Sequence, residues 1–250
     1  PVMKLEAKAG TLCRAMGYSE IITYSFVSPT VFDQIRLPAD SPLRNALRIQ
    51  NPLGEDTSIM RTTTLPSMLE ILTRNYNFRN KSAKLYELGR VYFKRADGLA
   101  DEPKVLTLGA YGDNMDFFAL KGAVEAVLKQ LRIENVRFLA DSENPSYHPG
   151  RCAKVYCGDR LLGTLGQIHP HVAENYGVDC ELYAAELSFD ALYASMGGKA
   201  VYQPLPKFPA VTRDIAVVCD AAVTVGALED CIRRGAHGLL KSVTLFDIYT

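Results

Sequence analysis

No stretch of this 250-residue chain approaches the roughly 20 consecutive apolar residues that a membrane-spanning helix requires. Pro1–Gly10 lacks a basic segment followed by an apolar core, so no secretory leader is read there and a cytoplasmic protein is the expectation. No two cysteines form a CxxC pair. Cys13, Cys152, Cys157, Cys180, Cys219 and Cys231 stand apart, which removes zinc-ribbon and thioredoxin readings and leaves reduced, structural thiols as the expectation. Net charge is also missing: 28 basic residues balance 28 acidic ones, so any contact with nucleic acid must come from a local patch. There is no repeat at a period of about 20 to 50 residues and no low-complexity tract.

What remains is a chain able to fold, with 48% hydrophobic and 22% charged residues. Leu5, Ala9, Leu12, Cys13 and Met16 recur at helical spacing, and strand-forming Ile21–Phe26 follows. Ser28 and Pro29 suit the start of a short helix, and a strand is expected over 46–50. Thr64 can cap a helix whose inner face is Leu65, Met68, Leu69 and Leu72. Strands follow over 84–93 and 104–111, then a helix with the stripe Phe117, Leu120, Val124, Val127, Leu128 and Leu131, then a strand over 136–139. Residues 153–157 and 161–168 flank Gly158-Asp159, a tight-hairpin signal, so the sheet is read as largely antiparallel there.

A strand over 181–187, a short helix to about Ser195, then Gly197-Gly198 and a run containing Pro204, Pro206 and Pro209 place a domain boundary near residue 200. Beyond it, Asp214–Cys219, Val225–Arg234 and Ser242–Tyr249 read as a β-α-β unit, with Phe246 and Tyr249 as core positions. A split β-α-β fold needs a second half, so about half of that domain is expected within 201–250.

Five stretches carry a resemblance: LCRAMGYSEIITYSFVSP (12–29), NPLGEDTSIMRTTTLPSMLEIL (51–72), KLYELGRVYF (84–93), YHPGRCA (147–153) and LGTLGQIHP (162–170). In order and spacing they resemble the bacterial phenylalanyl-tRNA synthetase beta subunit, and QPLPKFPAVTRDIAVV (203–218) with SVTLFDIY (242–249) resembles the ferredoxin-like anticodon-binding domain that ends it. The resemblance implies an α+β fold: a mixed, mainly antiparallel sheet like a class II aminoacyl-tRNA synthetase core over 1–200, and a truncated ferredoxin-like β-α-β unit over 201–250. It implies a scaffold for a catalytic alpha subunit, in a heterotetramer of two alpha and two beta chains, that helps bind phenylalanine tRNA. This chain would hold no cofactor, ATP and magnesium belonging to alpha. The helix over 4–17 is the candidate inter-subunit surface by analogy with the first class II motif.

The same alignment sets Phe93 where the second class II motif carries its phosphate-binding arginine and Arg95 where it carries glutamate; Ala191 replaces the third motif's arginine. Without those cations adenylate formation loses its main electrostatic support, so no catalytic residue is assigned. The other readings are an active adenylate-forming paralogue and a free-standing RNA- or protein-binding module.

Four arginines and lysines stay open. Arg61 precedes a helix start, where it could meet an anion beside backbone amides, pair with Glu55 and Asp56, or brace the alpha contact. Arg151 either serves a site or holds its loop through carbonyls. Lys207 and Arg213 are candidates for tRNA contact, the alternative being an Arg213–Asp214 ion pair. Residues 74–95 carry Arg74, Arg79, Lys81, Lys84, Arg90, Lys94 and Arg95 against the single acid Glu87, suited to a phosphate backbone or to a solvated face. His148, His169 and His171 read as turn and strand-end residues with no ligand partner at metal-site spacing.

Overall fold

The computed structural model describes residues 2–198, 201–202, 204–205, 207–236 and 238–249. The chain divides into two compact units, Pro1–Ala200 and Val201–Thr250.

The first unit is built on a seven-stranded sheet. Its strands are β1 (Ser19–Glu20), β4 (Ala83–Arg90), β7 (Lys104–Tyr111), β8 (Val136–Ala140), β9 (Tyr147–Cys157), β10 (Arg160–Ile168) and β11 (Tyr183–Ser188), in the order β1-β4-β7-β11-β10-β9-β8. Only β1–β4 is parallel; the remaining pairs are antiparallel. Two small ribbons complete it: β2 (Phe26–Val27) with β3 (Ile59–Met60), and β5 (Phe93–Lys94) with β6 (Ala100–Asp101). Gly158 turns the β9–β10 hairpin at φ 57, a backbone conformation that glycine adopts without steric penalty.

Helices cover both faces. On one lie α1 (Val2–Ala15), α4 (Phe117–Gln130) and α6 (Phe189–Ser195): Leu5, Ala9, Cys13, Leu120, Val124, Val127, Phe189 and Leu192 share one buried cluster with Tyr86, Leu106, Leu108, Ala185 and Leu187 of the strands. On the other lie α3 (Leu65–Asn77) and α5 (Pro170–Asn175), whose Leu65, Met68, Leu69, Leu72, Val172 and Ala173 pack with Leu85, Cys152, Ile168 and Ala184. The period-2 side-chain alternation divides β4, β7, β9, β10 and β11 between the two clusters. The short α2 (Val31–Gln34) adds Ile35, just past its end, to the second cluster.

Four expectations change here. Ile21–Phe26 is not one strand: pairing is confined to β1 and β2 in different sheets, because Ile22 and Tyr24 are 92% and 80% exposed and have nothing to pack on. The stretch 46–50 contributes only the isolated bridge Arg48–Ile59. The cap of α2 is Thr30, not Ser28, although the Ser28 hydroxyl accepts from the Thr30 N–H at 3.2 Å. Cysteine is free throughout the chain but not uniformly buried, since Cys219 and Cys231 are exposed.

The second unit contains α7 (Val225–Gly235), capped by the Thr224 hydroxyl accepting from Ala227 N–H. Among its described residues no strand forms over 214–219 or 242–249, and Phe246 and Tyr249 are exposed rather than in a core. Two strands without a third neighbour or a packed face are marginal in water. Gln203, Pro206, His237 and Thr250 of this unit lie outside the described residues.

Candidate functional site

Three residues in register form a polar row across the α3 face of the sheet: Glu87 of β4 opposite Thr107 of β7, and Thr107 opposite Glu186 of β11. All three point toward α3 and the segment before it because they share strand parity with Leu85, Gly109 and Ala184. A row of polar groups on a buried face must find partners or lose stability. Each end of the row has a partner from within the chain.

At the β4 end, Arg61 meets Glu87 in a two-pronged pair, Nη2 to Oε1 and Nη1 to Oε2, both at 3.2 Å, with side chains only 3% and 4% exposed. The guanidinium also donates from Nε to the Arg90 carbonyl at 2.8 Å and from Nη1 to Thr23 Oγ1 at 2.6 Å. Four of its five N–H donors are therefore spent. Thr23 closes the circuit by donating its N–H and hydroxyl to Glu87 Oε1 at 3.1 and 2.8 Å. Gly89 leaves room for this arrangement, since a Cβ there would stand 2.3 Å from Arg61 Nη2. Of the readings open for Arg61, an ion pair is what forms, but with Glu87, which the sheet brings closer than Glu55 and Asp56.

At the β11 end, Glu186 Oε1 accepts from Thr64 N–H (2.8 Å), Leu65 N–H (3.1 Å) and the Thr63 and Thr64 hydroxyls (2.7 Å each). Thr64 Oγ1 also lies 2.5 Å from Thr107 Oγ1. A carboxylate here satisfies the orphan amides and complements the helix dipole. The helix start that Arg61 was expected to share with an external anion holds a carboxylate of the chain's own. Thr64 is the N-cap residue of α3, yet its hydroxyl caps no amide; Thr63 Oγ1 accepts from Leu65 N–H instead.

The remaining candidates lie elsewhere. Arg151 Nη1 donates to Gln167 Oε1 (2.6 Å) and Glu181 Oε1 (3.0 Å), so it holds neighbouring side chains and not loop carbonyls. The Tyr183 hydroxyl, together with Arg151, holds the Glu181 carboxyl below its ordinary range. His148 Nδ1 accepts from Gly150 N–H and His169 Nδ1 from His171 N–H, so both rings serve local turns. Arg90 lies by Glu102, Arg95 by Asp97 and Asp101, and Lys94 by Asn45, whereas Arg79 and Lys81 make no ion pair among the described residues.

Residues 1–189 match the family described as the phenylalanyl tRNA synthetase beta chain CLM domain, and residues 206–250 match the ferredoxin-fold anticodon binding domain. The chain belongs to the phenylalanyl-tRNA synthetase beta chain family. It is 47% identical over 235 residues to the phenylalanine–tRNA ligase beta subunit of Clostridium acetobutylicum, covering 93% of this chain and 30% of that protein. It is 44% identical to the Clostridium tetani subunit, covering 98% of this chain and 31% of that one. The chain therefore spans about 30% of the curated relatives it matches. A pyrrolysyl-tRNA synthetase from Desulfitobacterium hafniense shares its fold, with TM-score 0.63 and 16% identity over 77% of this chain and 68% of that one.

Within this beta-chain fold, Phe93 and Arg95 occupy the β5–β6 ribbon, and Arg95 donates to Asp97 at 2.8 Å and Asp101 at 3.3 Å. Ala191 stands in the first turn of α6, where its N–H donates to the capping Ser188 hydroxyl at 3.2 Å. Met68 and Leu72 of α3 press on Gly109 at the centre of the face: a Cβ there would be 2.5 Å from Met68 Cγ and Sδ. The residues present do not fit a nucleotide triphosphate, because the buried cation is paired and the face is covered by α3. Lys207 and Arg213 fall within the anticodon-binding match. Arg213 donates to the Thr212 carbonyl at 2.9 Å and makes no ion pair with Asp214 among the described residues. Glu87 and Glu186 were missed as structural residues, although an acid inside an otherwise apolar strand already signals a buried partner.

Proposed function

We propose that the chain is the non-catalytic core of a phenylalanine–tRNA ligase beta subunit, which holds a catalytic alpha subunit and helps position phenylalanine tRNA. The carrying observation is that the α3 face of the sheet offers no free cation among the described residues, Arg61 being spent on Glu87 and Glu186 filling the α3 start; away from that face, the aligned arginine positions hold Phe93 and Ala191. Acid-rich surroundings without free cations repel a triphosphate instead of stabilising its transition state. ATP and magnesium then belong to alpha in a complex of two alpha and two beta chains, and the setting is cytoplasmic. The partner face is proposed along α1 and the segment after it, where Met3, Ile22 and Tyr24 are exposed apolar groups of the kind that subunit interfaces cover. In the second unit, Lys207 and Arg213 are the proposed tRNA contacts.

The test is co-purification with a bacterial alpha subunit, followed by phenylalanine-dependent pyrophosphate exchange on each component. Exchange confined to alpha-containing samples, with a complex formed, supports the scaffold reading. Turnover by this chain alone establishes an adenylate-forming paralogue instead, and a soluble chain that never joins alpha points to a free-standing module.

A further inference from the structure

The basic stretch 74–95 is divided by the fold into two electrostatically different halves. In the later half Arg90 and Arg95 pair with Glu102, Asp97 and Asp101, and Lys94 donates to Asn45. The earlier half closes α3 and opens on a cleft of about 480 Å3 lined by Tyr76, Arg79, Lys81, Tyr111, Asp113 and Glu181, among others. Glu181 is engaged by Arg151 and Tyr183, so among the described residues Asp113 is the one lining carboxylate left without an ion pair opposite Arg79 and Lys81.

The turn carrying Arg79 is firmly built. Phe78 N–H donates to the Arg74 carbonyl at 3.0 Å, Arg79 N–H to Tyr76 at 2.8 Å and Asn80 N–H to Asn75 at 3.2 Å. The Tyr111 hydroxyl donates to the Asn80 carbonyl at 2.9 Å, and Gly112 lets the opposite wall approach, since a Cβ there would stand 2.5 Å from Ser82 Cβ. Within this frame Arg79 sits at φ 64, the left-handed helix-end position that glycine or asparagine fills at lower cost. Its side chain makes no hydrogen bond among the described residues, so the turn gains nothing from an arginine. Strain kept without a structural return points to use. Tyr76, half-buried in the cleft wall, packs edge-on against Tyr111 at 6.2 Å, so aromatic surface adjoins the cations.

We propose that this cleft binds the phosphate backbone of a single RNA strand, with Arg79 and Lys81 on successive phosphates and Tyr76 against a base, an inference that rests on the reading of the chain as part of a tRNA ligase. Paired cations beside aromatic rings are the chemistry by which single strands are held without sequence readout. An open cleft lined by exposed Arg79 and Lys81 suits a strand passing through better than an enclosed small ligand.

The test uses the complete two-subunit ligase and a phenylalanine tRNA transcript, with affinity measured from 0.05 to 0.3 M salt. Each lost phosphate contact lowers the slope of log K against log salt by about 0.7–0.9, so Arg79→Asn with Lys81→Gln reduces it by about 1.5 and weakens binding about tenfold at 0.15 M. Arg95→Gln leaves the slope unchanged, and Arg79→Asn alone leaves the melting temperature equal or higher. An unchanged slope in the double variant overturns the proposal, as does a lowered melting temperature in Arg79→Asn, which would make the arginine structural. If inorganic phosphate at micromolar concentration stabilises the wild type only, while the RNA slope is the same in both, the site takes a small phosphate compound and the strand reading is wrong. A wild-type ligase that binds no tRNA overturns the parent reading; one that binds with the double variant's slope overturns this inference alone.

Discussion

Truncating Arg61 to alanine removes the two-pronged pair, the hydrogen bond to the Arg90 carbonyl and the one to Thr23, and strands Glu87 in a site where its side chain is 4% exposed. Only the Thr23 N–H and hydroxyl remain as donors to the carboxylate. Breaking a buried pair on one side costs about 3–5 kcal/mol, because the surviving charge keeps its desolvation penalty without compensation. For a unit of this size that corresponds to a fall of about 6–20 °C in melting temperature. The double change Arg61→Met with Glu87→Leu removes both charges and recovers stability to within about 1–2 kcal/mol of wild type, as apolar replacements of buried pairs do. Urea unfolding followed by circular dichroism, with equal m-values as the check on two-state behaviour, measures all three proteins. A single variant within about 1 kcal/mol of wild type, or a double variant worse than the single one, refutes the view that Arg61 and Glu87 are a mutually dependent buried pair.

Glu186→Ala opens the start of α3 and costs about 2 kcal/mol, whereas Glu186→Gln, which keeps an acceptor but not the charge, costs about half of that; the same urea titration reads both. Burial, aided by Arg36, His171 and His148, pushes the His169 imidazole below its ordinary 6.5. The unfolded chain therefore takes up this proton first, so the contribution to stability is intact above about pH 6.5 and is lost as pH falls from there through the folded value. His169→Asn keeps a cap acceptor without a titrating ring, and stability measured from pH 7 to 5 should decline less steeply than in wild type. Installing the aligned cations, Phe93→Arg with Ala191→Arg, should produce no ATP-dependent pyrophosphate exchange, because Met68 and Leu72 cover the centre of the face; exchange above the wild-type background would mean the face is open.

Elements that bury a stripe were legible in the sequence, while those that depend on a distant partner were not. The stripes from Leu65 to Leu72 and Phe117 to Leu131 became α3 and α4, and Gly158-Asp159 became the β9–β10 turn, because local periodicity and φ preference carry that information. The β-forming residues of Ile21–Phe26 do not make one strand, because Ile22 and Tyr24 are exposed and have no surface to pack on. The partner of Arg61 lies 26 residues away and the acceptor for Thr64 lies 122 residues away, so proximity along the chain favoured the wrong acids. Residues 214–219 and 242–249 have the composition of strands but no sheet hydrogen bonds among the described residues, a state that local propensity does not anticipate.

The polar row also accounts for how this sheet face stays well packed with charged residues on it. A sheet face shaped for a triphosphate presents cations whose charge the ligand satisfies; with the ligand gone, each buried cation would become an uncompensated charge. Here Phe93 in the β5–β6 ribbon and Ala191 in α6, on the opposite face, add no cation to it, and Arg61 is matched by Glu87 at the edge of the α3 face. Glu186 then supplies the negative group that a helix start attracts, which fixes α3 with Met68 and Leu72 over Gly109, where a bound ligand would otherwise need room. These features support one another. Charge pairing makes the face dry enough for an apolar helix, and the helix in turn needs the carboxylate at its first turn. Nucleotide access to this face would require displacing α3, so the outcome of the paired arginine substitution depends on packing more than on charge.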